Sequence, residues 1–279
     1  MTPNLKKTML PIGVFDSGLG GLTVLRELRK RLPAERFIYL GDTARAPYGS
    51  KSEETILRYA QECAHFLQVQ GVKLVVVACN TVSAVALDVL AKDSSVPLVG
   101  TIDSAVNSVL ELSEVQRIGV IGTQATIASQ SYERALFQNK IDAQVLTKPC
   151  PLFVPLVENG LCEGEIVDRV IDLYLSDLRA ARIDTLILGC THYPMLTRAL
   201  QKYFGARTRI VECSKSVAYS VSSLLAQQQL EQDSSGLLGD SERYFVTDDV
   251  ARFNALASLF LEGHTVQAVQ LESIASIIT

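Results

Sequence analysis

Two cysteines in this 279-residue chain have the sequence context of reactive thiols. Cys79 and Cys190 each follow a short apolar segment, and each precedes a predicted helix. In open α/β sheets, ligands bind at the carboxyl ends of the strands. The free amides at a helix N-terminus favour a thiolate over a thiol, whose ordinary pKa is near ~8.5. We therefore expect both side chains to be chemically active.

Two equivalent thiols that face one another across a cleft suit inversion at a carbon atom. One thiolate removes a proton from one face of a substrate, and the other thiol delivers a proton to the opposite face. A buried apolar role is the alternative for either cysteine. Disulfide exchange is the alternative for the pair, but the CxxC spacing that it normally uses is absent. The remaining cysteines lack this context and are interpreted as structural: Cys63, Cys150, Cys162 and Cys213.

A glycine-rich segment, Asp16-Ser-Gly-Leu-Gly-Gly, follows the first predicted strand. Its glycines allow a tight turn whose backbone N–H groups face a carboxylate, although a plain strand-to-helix turn is the alternative. Asp42, about twenty residues later, suggests a ribose-binding acid. We disfavour nucleotide binding because the spacing is not GxGxxG and because Asp16 would place a negative charge beside the phosphates. Ser17 and Thr123 each follow the first strand of one half of the chain.

Two further segments carry candidate binding residues. Residues 41–49, Gly-Asp-Thr-Ala-Arg-Ala-Pro-Tyr-Gly, have the composition of a binding loop or of a structural turn. His192, close behind Cys190, is a candidate for orienting a carboxyl group or assisting proton transfer. His65 and His264 have ordinary contexts, and three scattered histidines offer no metal-ligand spacing. We therefore expect no metal.

These residues require a scaffold of alternating strands and helices. Apolar runs predict strands at 12–15, 37–40, 74–78, 117–121, 185–188 and 208–211. Amphipathic patterns predict helices at 22–31, 52–70, 83–91, 126–138, 164–181 and 194–203. Strands that are apolar on both faces indicate a parallel sheet covered by helices on each side. The fold class is therefore α/β with a doubly wound architecture.

An internal repeat indicates two pseudo-symmetric domains. Ile12-Gly-Val-Phe-Asp-Ser is echoed by Ile118-Gly-Val-Ile-Gly-Thr, and Leu74-Val-Val-Val-Ala-Cys-Asn-Thr is echoed by Leu186-Ile-Leu-Gly-Cys-Thr. Both matches occur in the same order, so each half carries one cysteine at the same structural place. Residues 227–242 have the composition of a loop, and a β–α–β unit is predicted over 244–247, 250–260 and 266–269.

The composition bounds the class of protein. The net charge of −4, with 48% hydrophobic and 20% charged residues, is ordinary for a globular protein and offers no surface for nucleic acid. Apolar runs long enough for a membrane span or a signal peptide are absent from the sequence. We expect a cytoplasmic protein with free thiols.

The sequence closely resembles the glutamate racemase family, within the aspartate/glutamate racemases. The matching segments follow the family's order through most of the chain: Phe15-Asp-Ser-Gly-Leu-Gly-Gly, Gly41-Asp-Thr-Ala-Arg-Ala-Pro-Tyr-Gly, Val77-Ala-Cys-Asn-Thr, Val120-Ile-Gly-Thr, Pro155-Leu-Val-Glu-Asn-Gly and Gly189-Cys-Thr-His-Tyr-Pro. The resemblance implies interconversion of L- and D-glutamate without pyridoxal phosphate or another cofactor, supplying D-glutamate for peptidoglycan.

The resemblance also implies residue roles. Cys79 and Cys190 are the implied proton donor and acceptor, assisted by Asp16, Glu158 and His192. The substrate carboxylates and ammonium are implied to contact Asp16, Ser17, Pro47, Tyr48, Gly49, Cys79, Asn80, Thr81, Thr123, Cys190, Thr191 and His192. The implied first domain is discontinuous, 1–100 plus 214–279, the second is 101–213, and the active site lies in the cleft between them. A homodimer is possible, with no membrane and no required nucleic acid as partners.

The chemistry itself is demanding because an amino-acid α-proton is very weakly acidic. A positioned base supplies only ~10²–10⁴ in rate, so hydrogen-bond donors must stabilise the developing charge in a dry cleft. We therefore expect the domains to close on the substrate. A racemase of aspartate or a related acid remains the alternative, as does a non-catalytic α/β protein that binds an amino acid.

Overall fold

The computed structural model describes residues 7–232, 242–271 and 274. Within them the strands form two parallel sheets. The strands are β1 (Ile12–Asp16), β2 (Phe37–Gly41), β3 (Leu74–Val77), β4 (Leu98–Val99), β5 (Arg117–Gly122), β6 (Gln144–Pro149), β7 (Thr185–Gly189), β8 (Arg209–Glu212), β9 (Arg243–Val246) and β10 (Ala268–Gln270).

Helices connect the strands on both faces of each sheet. Over the described ranges they are α1 (Leu22–Arg31), α2 (Glu53–Val69), α3 (Asn80–Val85), α4 (Leu87–Asp93), α5 (Thr101–Leu110), α6 (Gln124–Ala128), α7 (Ser131–Gln138), α8 (Phe153–Glu158), α9 (Glu165–Ala180), α10 (Thr197–Phe204), α11 (Cys213–Gln228) and α12 (Val250–Phe260). Short 3₁₀ turns occur at Thr43–Arg45, Tyr48–Ser50 and Tyr193–Leu196. Within the described ranges, every helix is too short or too polar to cross a membrane.

The strand order reveals the duplication that the sequence predicts. The first sheet has the order β10-β9-β2-β1-β3-β4, and the second has the order β6-β5-β7-β8. Four strands of the first sheet, in the order second, first, third and fourth, therefore match the whole of the second sheet. All neighbouring strands pair in parallel. The fold is thus α/β, with two parallel-sheet domains.

The central strands are buried on both faces, as their sequences require. Every residue of β1, β2, β3 and β7 is buried, so helices must cover each sheet on both sides. Side chains cap the starts of several helices. Ser52 accepts a hydrogen bond from the Thr55 N–H, and Thr123 accepts one from the Thr126 N–H at 3.2 Å. Each cap satisfies a free N–H group at the start of its helix.

The β–α–β unit predicted near the carboxyl end joins the first sheet. Strand β9 pairs with β2, and β10 pairs with β9. Helix α12, between them, has the predicted bounds of 250–260. Helix α11 packs against both α1 and α5, so it lies where the two halves of the molecule meet.

Three predicted elements differ from the structure. The helix predicted at 83–91 is two helices that begin directly after Cys79, and the helix predicted at 126–138 is interrupted at Gln130, which has a left-handed φ of 55°. The predicted loop 227–242 is wrong at its start, because α11 continues to Gln228. The part of that loop at 233–241 lies outside the described residues.

Candidate active site

Cys79 and Cys190 occupy equivalent places in the two sheets. Cys79 follows β3 and is the residue preceding the first turn of α3, whereas Cys190 follows β7. Strands β3 and β7 are the third strands of their halves, and each pairs with the first strand of its half. Both thiols are almost completely buried, with 4% and 5% exposure. The duplication therefore places one buried thiol at the carboxyl edge of each sheet.

The surroundings of Cys79 favour the protonated thiol. Its Sγ lies 3.7 Å from the Ser17 hydroxyl oxygen. Burial and the nearby negative charge of Asp16 raise the pKa of Cys79 to about 11, although the Val82 and Ser17 backbone N–H groups act in the opposite direction. The amides at the helix N-terminus thus lower the pKa of Cys79, as the sequence context indicates, but desolvation outweighs them and keeps the pKa above its ordinary value.

Cys190 is also held as a thiol. Burial raises its pKa well above the ordinary value, and the His192 backbone N–H opposes this only in part. Negative charge on Cys79 or Asp16 raises the pKa of Cys190 further. The two thiols are thus electrostatically coupled, so a thiolate on one side disfavours a thiolate on the other.

Asp16 lies between the two halves. Its side chain is 1% exposed and accepts hydrogen bonds from the Gly18 N–H at 3.0 Å and from the Thr191 hydroxyl at 3.4 Å. Burial raises its pKa, whereas the positive charge that His192 can carry lowers it. Thr191 follows Cys190, so Asp16 contacts the residue next to one thiol and acts on the charge of the other.

His192 stands beside Cys190 and is paired with a carboxylate. Its Nδ1 lies 3.9 Å from the Cys190 Sγ, and its Nε2 lies 3.1 Å from Glu158 Oε1. The hydrogen bond to His192 lowers the pKa of Glu158. Glu158, a lone glutamate at the end of α8, has no motif of its own, so the family resemblance alone indicates its place at this site.

Three threonine hydroxyls join the halves. The Thr81 Oγ1 lies 2.9 Å from the Thr123 Oγ1 and 3.4 Å from the Thr126 Oγ1. Gly49 lies against Thr123, because a Cβ added to Gly49 would come within 2.6 Å of the Thr123 Cβ. The structure therefore brings together the predicted residues Gly49, Thr81 and Thr123, and it adds Thr126, which the sequence analysis did not identify.

Asn80 presents an unused donor. Its Oδ1 accepts a hydrogen bond of 2.7 Å from the Tyr132 hydroxyl, whereas its buried Nδ2 has no partner in the described part of the chain. A buried amide without a partner is costly. It is therefore a candidate donor to an anionic substrate. The Tyr132 hydroxyl also lies 3.1 Å from the Cys213 Sγ.

The loop at 41–49 is held by Asp42, which is fully buried. The Tyr48 hydroxyl donates a hydrogen bond to Asp42 Oδ2, Arg45 Nε lies 2.6 Å from the same oxygen, and Thr247 donates to Oδ1 at 2.9 Å. The Tyr48 hydroxyl is therefore engaged within the protein, and the Pro47 side chain is exposed. The residues around Asp42 in the sequence do not indicate this role, because its partner Thr247 is about 200 residues away in the chain.

The other candidate groups lie apart from the thiols. Cys63 lies 4.0 Å from the Arg45 guanidinium, and Cys150 donates to the Lys148 carbonyl at 3.7 Å. His65 lines a cavity of about 380 Å³ on the outer side of α2 and α4. Over the described ranges, no group of three His, Cys, Asp or Glu residues is arranged to hold a metal ion.

The arrangement has the groups that inversion of a carbon atom by proton transfer requires. Two thiols follow equivalent strands of the two sheets. A buried carboxylate, Asp16, contacts the residue after one of them, and a His–Glu pair lies beside the same thiol. Thr191 directly follows Cys190, and Asn80 and Thr81 are the first two residues of α3 directly after Cys79, so their placement follows from that of the strands.

Comparisons with known proteins find racemases. A family model described as Asp/Glu/Hydantoin racemase matches residues 12–218. A glutamate racemase of Aquifex aeolicus is 47% identical over 252 residues, which cover 90% of this chain and 94% of that protein. A glutamate racemase of Geobacter metallireducens is 44% identical over 264 residues, covering 94% and 97%. The crystal structure of glutamate racemase from Francisella tularensis in complex with D-glutamate has a TM-score of 0.88 and 36% identity, covering 96% of this chain and 99% of that one.

Proposed function

Because the chain belongs to the Asp/Glu/hydantoin racemase family and its relatives are glutamate racemases, we propose that it interconverts L- and D-glutamate by proton transfer between Cys79 and Cys190. The observation that carries this proposal is the placement of two buried thiols after equivalent strands of a duplicated fold. A protein that only binds an amino acid has no use for a coupled pair of thiols.

The proposed reaction needs one thiolate and one thiol at the start. The thiolate takes the α-proton, so the C–H bond breaks, an S–H bond forms and the electron pair stays on the α-carbon. The opposite thiol then gives its proton to the other face, which forms a new C–H bond and leaves a thiolate. The charge coupling between Cys79 and Cys190 favours this one-thiolate state over the doubly ionised one.

Raised thiol pKa values suit this reaction once the substrate is bound. A thiol of pKa about 11, as at Cys79, gives a stronger base than an ordinary cysteine. The cost is that little thiolate exists at neutral pH before binding. The ammonium group of a substrate bound near Asp16 would offset the negative charges of this carboxylate and of the thiolate. Asp16 is buried, and it reaches from the first half of the chain to Thr191 in the second.

Donors around the thiols are proposed to stabilise charge that moves onto the substrate α-carboxylate. The unpaired Asn80 Nδ2 and the hydroxyls of Ser17, Thr81 and Thr123 are the candidates. Each such donor is worth roughly 3 kcal/mol when removed in comparable sites. We propose that the domains close on the substrate and so complete this set, which the contact between Thr81 and Thr123 of different halves supports. Solution scattering with and without glutamate tests that closure.

The remaining proposals concern the wider setting. We propose the domain limits 1–100 plus 214–279 and 101–213, supported by the membership of β9 and β10 in the first sheet. The product would supply D-glutamate for peptidoglycan in the cytoplasm, without pyridoxal phosphate. A homodimer is compatible with this function.

One experiment tests the function directly. The protein is incubated with L-glutamate in D₂O, and optical rotation and α-deuterium are followed together. Loss of rotation with α-deuterium uptake is expected. Turnover of aspartate but not glutamate would indicate the alternative substrate, and binding without turnover would indicate a non-catalytic protein.

Matched variants test the two-thiol assignment. Cys79→Ser and Cys190→Ser should each abolish inversion, because serine is far less acidic than cysteine and cannot serve as the base. Cys162→Ser is the control, since Cys162 is half-buried and outside the site. Full activity in either active-site variant would refute the assignment.

A further inference from the structure

Helix α12 reaches from the first sheet's strands to the pair formed by His192 and Glu158. The strands on either side of α12 belong to the first sheet, whereas Glu158 ends α8 and His192 comes shortly after β7, a strand of the second sheet. Two residues of α12 contact the pair. Arg252 Nη2 lies 3.2 Å from Glu158 Oε2, and the Phe260 ring lies 5.7 Å from the His192 ring in a perpendicular arrangement.

Both oxygens of Glu158 are thereby occupied. Oε1 faces His192 Nε2 at 3.1 Å, and Oε2 faces Arg252. Both neighbours lower the pKa of Glu158, so the carboxylate is ionised. An ionised carboxylate accepts the Nε2–H of histidine, which leaves Nδ1 as the ring atom that exchanges a proton with a neighbour. That atom is the one 3.9 Å from the Cys190 Sγ.

The helix that supplies these contacts is itself fixed. The Asp249 side chain caps it by accepting the Arg252 N–H at 3.0 Å. At its other end, Arg26 Nη1 donates to the Phe260 carbonyl at 3.4 Å, and the Phe260 side chain is fully buried. Both ends of α12 are therefore held in place, which fixes the positions from which Arg252 and Phe260 contact the pair.

Cys79 has a different set of neighbours. Its thiol is influenced by Ser17, Asp16 and the Val82 N–H, none of which lies on α12. Cys190 instead lies beside His192, whose other ring nitrogen is paired with Glu158. The duplicated fold is therefore asymmetric at the level of proton transfer.

We infer that Arg252 is a positioning residue for the racemisation proposed above, fixing Glu158 and through it His192, so that it affects proton transfer at Cys190 but not at Cys79. The inference rests on the proposed function. Arg252 is more than half exposed, so the interaction is modest in strength. Its effect is on the geometry and tautomer of His192.

The test uses the full-length protein as Arg252→Gln and Arg252→Lys, with Arg169→Gln as the control. Arg169 forms an exposed ion pair with Glu165 on α9 and is not in contact with the pair. Primary deuterium isotope effects on kcat/KM are measured separately with α-deuterated L- and D-glutamate. Enantiomers have equal free energy, so kcat/KM must fall equally in the two directions, by about two- to five-fold for Arg252→Gln.

The isotope effects distinguish the two thiols although the rates do not. Slower transfer at Cys190 raises the isotope effect for the enantiomer whose α-proton goes to Cys190, and it lowers the effect for the other. The two isotope effects should therefore diverge in Arg252→Gln and return toward the unmodified values in Arg252→Lys. Arg169→Gln should leave both unchanged.

Two results would overturn the inference. A rise in KM with both isotope effects unchanged would mean that Arg252 only helps to hold the halves together. Equal changes for both enantiomers would mean that it acts on both thiols. Failure of the proposed function is recognised separately, because the unmodified protein would then not racemise glutamate at all.

Discussion

Gly20 of the first half lies so close to Thr191 of the second half that no side chain fits on Gly20. A Cβ built on Gly20 would be 2.2 Å from the Thr191 Oγ1 and 2.5 Å from the His192 Nδ1. Gly20 belongs to the turn after β1, whereas Thr191 directly follows Cys190. The Thr23 hydroxyl reinforces this approach by donating to the Thr191 carbonyl at 2.9 Å. A glycine is therefore required at position 20 because Thr191 and His192, the two residues after Cys190, occupy the space of a side chain.

Replacing Gly20 with alanine should force this contact apart. We expect Gly20→Ala to lower kcat/KM by about 10- to 100-fold, because a displacement near 1 Å at a reacting group has effects of that size. Gly18→Ala is the control in the same turn, since its nearest added contact is the Ala46 Cβ at 3.8 Å. Steady-state kinetics with both enantiomers measure the effect. Equal activities in the two variants would show that the close approach is unimportant.

Much of the scaffold is predictable because buried parallel strands have continuous apolar sequences. Helices α1 and α12 have the predicted bounds, and the duplication was visible in the repeated segments. Strand β6 was missed because it is an edge strand with no fully buried residue. Helices α5 and α11 were missed as well, and α11 is rich in serine, which gives little apolar periodicity.

The site was less predictable than the scaffold. The positions of Cys79 and Cys190 follow from local sequence, but their protonation depends on burial, which is a property of the folded protein. The contact of Thr81 with Thr123 and Thr126 joins residues of different halves, and neither local segment indicates it. Asp42 was examined as a ribose ligand, although its partners come from a loop and from a distant strand end.

The thiol of Cys79 should titrate far above neutrality, and Asp16 should be one cause. The carboxylate is negative and disfavours a second negative charge, so its removal favours the thiolate. We therefore expect the pKa of Cys79 to be about 11 and to decrease in Asp16→Asn. The difference in thiolate absorbance between each protein and its Cys79→Ser counterpart measures this value. An unchanged or higher pKa in Asp16→Asn would contradict the electrostatic argument.

The same shift has a consequence for stability. Because the folded-state pKa of Cys79 lies above the unfolded value, the stabilisation is complete below the unfolded pKa and is lost as pH rises toward about 11. Across that window, this one thiol should reduce the free energy of unfolding by about 1.4 kcal/mol per pH unit. Urea unfolding of the unmodified protein and Cys79→Ser over pH 8 to about 10.5 compares the slopes. Parallel slopes would show that this thiol does not contribute.

Asp42 should be essential for the loop that carries Gly49. Asp42→Asn removes the negative charge to which Arg45 and the Tyr48 hydroxyl bind. It also replaces one carboxylate oxygen with an NH₂ group, which would face other hydrogen-bond donors. We expect the free energy of unfolding to decrease by about 1–3 kcal/mol and KM to rise. Asp172→Asn is the control, because Asp172 accepts a hydrogen bond from Tyr203 in an exposed setting. Urea unfolding and steady-state kinetics measure both effects, and similar losses in the two variants would contradict this role.

The buried ion pair of Lys73 and Glu35 should support the fold and not the chemistry. The two charged groups are 2.6 Å apart, with side-chain exposures of 1% and 2%, and Lys73 also donates to the carbonyls of Thr8 and Leu230 at 2.8 Å. Lys73→Met leaves the Glu35 charge buried without a cation, so we expect a loss of about 3–5 kcal/mol in the free energy of unfolding. The double variant Lys73→Met/Glu35→Gln should recover part of that loss because no charge is left uncompensated.

Lys215→Met, which breaks an exposed ion pair with Glu212, should change stability by less than about 1 kcal/mol. KM for glutamate should stay unchanged in each variant that remains folded, since none of these groups contacts the thiols; a raised KM would place this ion pair in communication with the cleft.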